Sequence, residues 1–127
     1  MSSCALDSSA VLACLRNEPG GQIAEAAFTS SIISAVNLAE IVTRLLDYGH
    51  DEADAIDLAK IGGYAVADFD ESLSLRAGAL RSATRHLGLS LGDRACLALA
   101  ERERLPVLTA DRAWTSLDIG VEIRLIR

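Results

Sequence analysis

The sequence predicts an α/β fold in which a central, mostly parallel sheet of about five strands carries helices on both faces. Three observations carry this expectation. Short apolar runs alternate with longer segments of helical spacing, Gly and Pro residues punctuate them at roughly regular intervals, and no linker, repeat or low-complexity stretch intervenes. With 127 residues, half of them apolar, one domain over residues 1–127 can bury a core without a disulfide or a structural metal.

In chain order, the run at 4–6 reads as a strand that meets Asp7, and Ser8 or Ser9 caps a helix to about residue 17. A short helix over 22–28 and a small strand at 31–33 follow. Ser34 caps a long helix to about 48, which Gly49 ends. Asp51, Glu52 and Asp54 suit the positive end of the next helix dipole, to about 61, and 64–69 reads as a strand. Asp70 opens a helix to about 87, closed by Gly88. Ser90 starts another, LGDRACLALAERER, which ends before Pro106. Residues 106–109 form the next strand. Asp111 begins a short helical turn that includes Trp114, and alternating Val, Ile, Leu and Ile across 121–126 give the last strand.

Cys4, Cys14 and Cys96 are odd in number, widely spaced and set in apolar contexts, so they read as reduced core residues. No stretch nears the roughly 20 apolar residues of a spanning helix, and MSSCALDSS holds neither a basic region nor a long apolar run. The expected location is cytoplasmic. The net charge of −6 runs against a phosphate-rich partner, which normally draws on clustered Lys and Arg. Two features offset it. Of the 12 basic residues only Lys60 is lysine, and arginine suits bidentate phosphate contacts. Several of the 18 acids are also candidate metal ligands, whose charge a cation would balance.

Ligands of parallel sheets bind outside the carboxyl ends of the strands, which singles out Asp7 and Asp111. Each also stands where a helix cap would, and the local sequence leaves both roles open. Asp93 completes a capping-box pattern with Ser90, yet it lies at helical spacing from Cys96, Leu97 and Ala100. A carboxylate on that inward-facing stripe needs a partner or a metal. Glu40 differs. The apolar arc of its helix runs through Leu38, Ala39, Ile41, Val42, Leu45 and Leu46, which puts Glu40 on the other side with Asn37, Arg44 and Asp47. Periodicity alone makes it a solvated surface residue. His50 and His86 stand alone near helix ends, and Trp114 reads as core.

The segments LDSSAVLACLRNEPG, ISAVNLAEIV, LSLGDRACLALA and VLTADRAW, in that order and at these separations, resemble the four acidic motifs of PIN-domain proteins. Among these they most resemble the VapC-type toxin ribonucleases of bacterial type II toxin–antitoxin pairs. The resemblance spans nearly the whole chain. It implies a PIN-like three-layer α/β/α sandwich and a metal-dependent endoribonuclease with Asp7, Glu40, Asp93 and Asp111 as its acids. In that scheme Asp7 and Asp93 are the primary ligands of one or two Mg2+ or Mn2+ ions, Asp111 is a further or through-water ligand, and Glu40 orients or activates the water. Ser8 and Ser9 match a serine beside the first acid, and Thr109 matches a polar helper near the last. Arg94 and Arg112, each beside an acid, join Ser9 and Thr109 as candidates for contact with substrate.

The residue types suit that chemistry. Mg2+ prefers oxygen ligands and usually takes one or two carboxylates while keeping several waters. Acids gathered without a cation repel one another and raise their own pKa values. The resemblance further implies an RNA substrate, a small cognate antitoxin whose tail blocks the site, and a homodimer, with the apolar helix at 53–61 among the candidate surfaces. The alternative is a non-catalytic RNA- or protein-binding PIN module. Phosphoaspartyl phosphatases and receiver domains share acids at strand ends and fit poorly. The first want a second aspartate where Ser9 stands, and the second a late lysine, whereas none follows Lys60.

Overall fold

The computed structural model describes residues 2–127. Strand β1 (Cys4–Leu6) passes through Asp7 into α1 (Ser8–Leu15). Helix α2 (Gly21–Ala27) and a 3-10 turn (Phe28–Ser30) lead to β2 (Ser31–Ser34). The Ser34 hydroxyl accepts from the Val36 amide at 3.2 Å and so caps α3 (Ala35–Asp47). The chain continues through α4 (Glu52–Lys60), β3 (Ala65–Ala67), α5 (Glu71–Ala79), α6 (Arg81–Thr84) and α7 (Leu91–Glu103). Strand β4 (Val107–Thr109), a 3-10 turn (Arg112–Ser116) and β5 (Ile123–Leu125) complete it.

Every strand pairing is parallel, and the order across the sheet is β3-β2-β1-β4-β5. The expected mostly parallel sheet is therefore wholly parallel among the described residues. Side chains alternate between its faces with the period of two that a strand imposes. Cys4, Leu6, Ile33 and Leu108 enter one core with α1, α2, α3 and α4 residues such as Val11, Ala24, Ile41 and Ala55. Ala5 and Val107 enter the other, with Leu73 and Ala77 of α5, Cys96 to Ala100 of α7, and Trp114. Helices thus cover both faces, which gives the three-layer α/β/α sandwich.

Two expectations need correction. The helix over 70–87 is divided: α5 stops at Ala79, α6 is one turn, and a 3-10 turn at Arg85–Leu87 follows. At the break the buried Thr84 hydroxyl donates to the Leu80 carbonyl at 2.8 Å, beside its own amide's bond to the same oxygen at 3.1 Å, a back-bond of the kind that bends helices. Of the cysteines, all free, Cys4 and Cys96 are buried, but Cys14 is only half-buried, its thiol donating to Glu25 at 3.3 Å. Burial and the Glu25 carboxylate push that thiol up to about 11. Among the described residues no helix is long and apolar enough to cross a membrane.

The strand order reverses between β1 and β4: from β1 the chain adds β2 and β3 on one side, then returns to place β4 on the other. In an open parallel sheet that switch point opens a crevice at the carboxyl ends of the two strands. Asp7 follows β1 there, and Thr109, Ala110 and Asp111 end β4.

Candidate active site

Asp7 is the most buried of the acids, 4% exposed, and although it stands at the N-cap of α1 its side chain caps nothing. Its Oδ2 instead accepts from the Ser9 hydroxyl at 2.6 Å and the Thr109 hydroxyl at 2.7 Å. Those hydroxyls are themselves aimed by the backbone after β4. Ser9 Oγ accepts from the Ala110 amide at 2.9 Å, and Thr109 Oγ1 from the Asp111 amide at 3.0 Å. Oδ1 has no hydrogen-bond partner among the described residues and is not sealed in the interior, so it faces the cleft. Burial pushes the Asp7 carboxyl up to about 6 against the two hydroxyl bonds, which favour the anion, and the charges of Asp93 and Glu40 add to the rise.

The other three acids approach from separate elements. Asp93 sits in the first turn of α7, where its Oδ2 accepts from the Ser90 amide at 3.0 Å while Ser90 Oγ accepts from the Asp93 amide at 3.2 Å. The capping box and the inward stripe are thus both realised: one oxygen caps, and the side chain still lines the cleft. Asp111 caps the 3-10 turn, its Oδ1 accepting from the Ala113 amide at 3.0 Å. Glu40 is half-buried, and its Oε1 accepts from Ser8 Oγ at 2.8 Å and from Asn37 Nδ2 at 2.9 Å.

Asp7, Glu40, Asp93 and Asp111 therefore line one cleft of about 590 Å³, with Ser8, Ser9 and Arg44. Among the described residues, no three carboxylates, thiols or imidazoles converge closely enough to form a ready cation cage. A family model described as the PIN domain matches residues 4–120 of this sequence. The chain belongs to the PIN-domain family.

Solved structures resemble this PIN domain across nearly all of its length. A DNA-bound VapBC complex from Salmonella typhimurium aligns with TM-score 0.76 at 16% identity, over 100% of each chain. A toxin–antitoxin complex from Klebsiella pneumoniae aligns with TM-score 0.73 at 19% identity, over 98% of each chain. VapBC2 from Rickettsia felis, bound to a promoter DNA fragment, gives TM-score 0.72 at 15% identity over 95% of this chain and 96% of that one. At such identities the likeness establishes the fold. No curated protein matches the sequence significantly.

Within this PIN domain the structure corrects three expectations. Glu40 is not a surface glutamate: the buried stripe of α3 is Asn37, Ile41 and Leu45, narrower than the arc of apolar residues, and Glu40 borders it. Arg94 does not reach the cleft, because one residue along α7 turns the side chain by about 100°, and its Nη1 donates to the Ala77 carbonyl of α5 at 2.9 Å. Arg112 is likewise absent from the cleft lining and holds the Arg127 carbonyl at 2.7 Å. Three residues enter that the motifs did not single out for a role: Asn37, Gly92 and Arg44. Asn37 is fully buried and bridges Glu40 to the Gly92 carbonyl, the second bond at 3.0 Å. A polar residue in register with Ile41 and Leu45 was the signal for it.

Proposed function

We propose that this PIN domain is a divalent-metal-dependent endoribonuclease, and that it acts as the toxin of a type II toxin–antitoxin pair. The observation that carries the reading is the meeting of Asp7, Glu40, Asp93 and Asp111 on one cleft at the switch point of the sheet. A merely structural role accounts for the caps made by Asp93 and Asp111, but not for Asp7. Its carboxylate is buried, caps nothing and gains only hydroxyl partners, an arrangement that costs stability unless a cation offsets it. Relatives solved as toxin–antitoxin complexes support the toxin assignment.

The residues fit Mg2+ or Mn2+. Asp7 through Oδ1 and Asp93 through the oxygen its cap leaves unused would hold the ion, with Asp111 and Glu40 meeting it through water. That division suits a cation that takes few carboxylates directly, and it suits acids that line a cleft without forming a cage. When bound, the ion supplies Lewis-acid chemistry, acidifying water and offsetting charge on the phosphate. Ser9 and Thr109 keep Asp7 ionised and fixed in angle. Ser8 and Asn37 hold Glu40 Oε1, which leaves Oε2 to orient the attacking water and take its proton. Water attacks phosphorus as the P–O3′ bond breaks, and the departing O3′ takes a proton from solvent, leaving a 5′-phosphate and a 3′-hydroxyl. The partners proposed with this activity are an RNA substrate, a small antitoxin and a second copy of the chain, and the proposed location is the cytoplasm.

The test is cleavage of total and transfer RNA by antitoxin-free protein in Mg2+, Mn2+ or EDTA, beside Asp7→Asn. Metal-dependent cleavage that the variant lacks supports the nuclease. A folded wild-type protein that cleaves none of these RNAs leaves a binding module instead.

A further inference from the structure

We propose that Arg44, Tyr48 and Arg16 form a nucleotide subsite at the rim of the acidic cleft, taking one phosphate and one base of single-stranded RNA beside the scissile bond. This rests on the nuclease reading above and deepens it. Helix α3 carries Glu40, Arg44 and Tyr48 at four-residue steps, a row on one face with about 6 Å between successive members. Glu40 lies among the acids, Arg44 lines the same cleft, and Tyr48 ends the helix. Arg16, at the end of α1, closes the group, with its guanidinium carbon 3.7 Å from the centre of the Tyr48 ring. The Arg44 guanidinium carbon is 5.4 Å from that centre, and its Nη2 donates to the Tyr48 hydroxyl at 2.8 Å.

The bonds that Arg44 does not make are as informative. Glu followed four residues later by Arg is the favourable orientation for a helical ion pair. Yet Glu40 Oε1 is bonded by Ser8 and Asn37, and Arg44 forms no ion pair among the described residues. An arginine present only to balance the acids would rest on one of them. Here Tyr48 draws the guanidinium to the rim and leaves most of its N–H donors unspent. Among the described residues Arg44 is also the one cation lining the cleft, and Arg94 and Arg112 are held by backbone carbonyls.

Arginine grips phosphate through paired N–H groups, and bases of single-stranded RNA stack on tyrosine rings and guanidinium planes. Tyr48 is 37% exposed with Arg16 over one face of its ring, so a base would stack on the Arg16 guanidinium plane or on what remains of the ring surface. An acidic peptide would use the two arginines but has no use for the ring, which favours RNA as the occupant.

The measurement is fluorescence anisotropy of an end-labelled single-stranded oligoribonucleotide in Mg2+, with every variant built on Asp7→Asn so that the probe stays intact. Arg44→Gln is expected to weaken binding about tenfold and to lower the slope of log affinity against log salt by about 0.7, the share of one phosphate contact on a single strand. Arg44→Lys should recover the slope but not the full affinity, because lysine lacks the planar fork. Tyr48→Leu should weaken binding at least about fivefold with the slope unchanged. Arg85→Gln, an exposed arginine away from the cleft lining, controls for bulk charge, and melting curves control for folding. The subsite is overturned if Arg44→Gln and Tyr48→Leu bind like Arg85→Gln. It is equally overturned if they lose only an acidic peptide, poly-glutamate, and keep RNA. Cleavage by the Asp7-intact protein is followed in parallel: where the binding data overturn the subsite and cleavage persists, the nuclease stands alone, and where the Asp7-intact protein neither binds nor cleaves RNA both fall.

Discussion

Gly92 and Glu40 occupy a space that admits only one side chain: a Cβ on Gly92 would lie 2.1 Å from Glu40 Oε2 and 2.3 Å from its carboxyl carbon. Glycine is needed here for close approach, so that the first turn of α7 reaches α3 and Asp93 and Glu40 share one cleft. In Gly92→Ala the obstructed atoms belong to the end of a flexible side chain, so the carboxylate moves rather than the helix. It gives up its bonds to Ser8 and Asn37 in doing so. Thermal melting should shift by only a few degrees, while RNA cleavage falls about 10²-fold or more, the scale of a lost general base. Adding Glu40→Gln should cost little beyond either single change, which initial rates for the three proteins will show.

The buried Asp7 makes the metal-free protein sensitive to pH in a definite direction. Its carboxyl is raised from 3.8 to about 6, chiefly by burial. Below pH about 3 the group is protonated in both folded and unfolded chains and costs nothing. As pH rises from there through about 6 the unfolded chain releases the proton first, so stability falls, by on the order of 3 kcal/mol. Asp7→Asn removes this dependence. In EDTA at neutral pH the variant should melt several degrees above wild type, and at about pH 3 the gap should close. A variant that melts below wild type at both pH values would show that the hydrogen bonds of the carboxylate outweigh the cost of burying it.

Metal should reverse that order. A ligand bound only by the folded state stabilises by about 2.7 kcal/mol at a hundred times its dissociation constant. Titrating Mg2+ or Mn2+ should therefore raise the melting temperature of wild type and leave Asp7→Asn nearly unmoved. Asp93→Asn should show a reduced rise, since its carboxylate supplies one oxygen to the cap and the other to the cleft. Equal rises in all three proteins would place the cation elsewhere.

The strand ends were legible because apolar runs stop abruptly at Asp7 and near Asp111, and a parallel sheet puts such residues at a crevice. Asp93 was legible twice, as a cap and as an inward residue, and the fold uses both. Glu40 was not legible from periodicity. The apolar residues of α3 trace a wide arc, but Leu46 is 43% exposed and Ala39 faces solvent, so the true buried stripe is Asn37–Ile41–Leu45. Only the resemblance to PIN motifs named Glu40. Adjacency misled at Arg94 and Arg112, because neighbours in sequence do not share a face in a helical turn. Arg44 lay hidden for the opposite reason: four residues from Glu40, it reaches the same cleft, and Tyr48 draws its head outward.

Thr109→Val tests whether the hydroxyls around Asp7 tune it or merely fill space. Thr109 is fully buried at the end of β4, so valine preserves its bulk and removes only the hydroxyl. Three contacts go with it, the donation to Asp7 Oδ2, the acceptance from the Asp111 amide and the 3.2 Å approach to Ser9 Oγ. The first favours the Asp7 anion, and its loss should carry the carboxyl above its present value of about 6. At subsaturating Mg2+, where protons compete with the ion for Asp7, the acid limb of the cleavage pH profile should therefore move to higher pH, with Asp111 less firmly placed and the maximal rate reduced. Ser9→Ala should move the limb the same way, because Ser9 makes the companion bond. In Thr109→Ser, which restores a hydroxyl at that position, the limb should return toward wild type. A filling role predicts the reverse ranking, with valine close to wild type and serine, which leaves a methyl-sized void, the more damaged of the two.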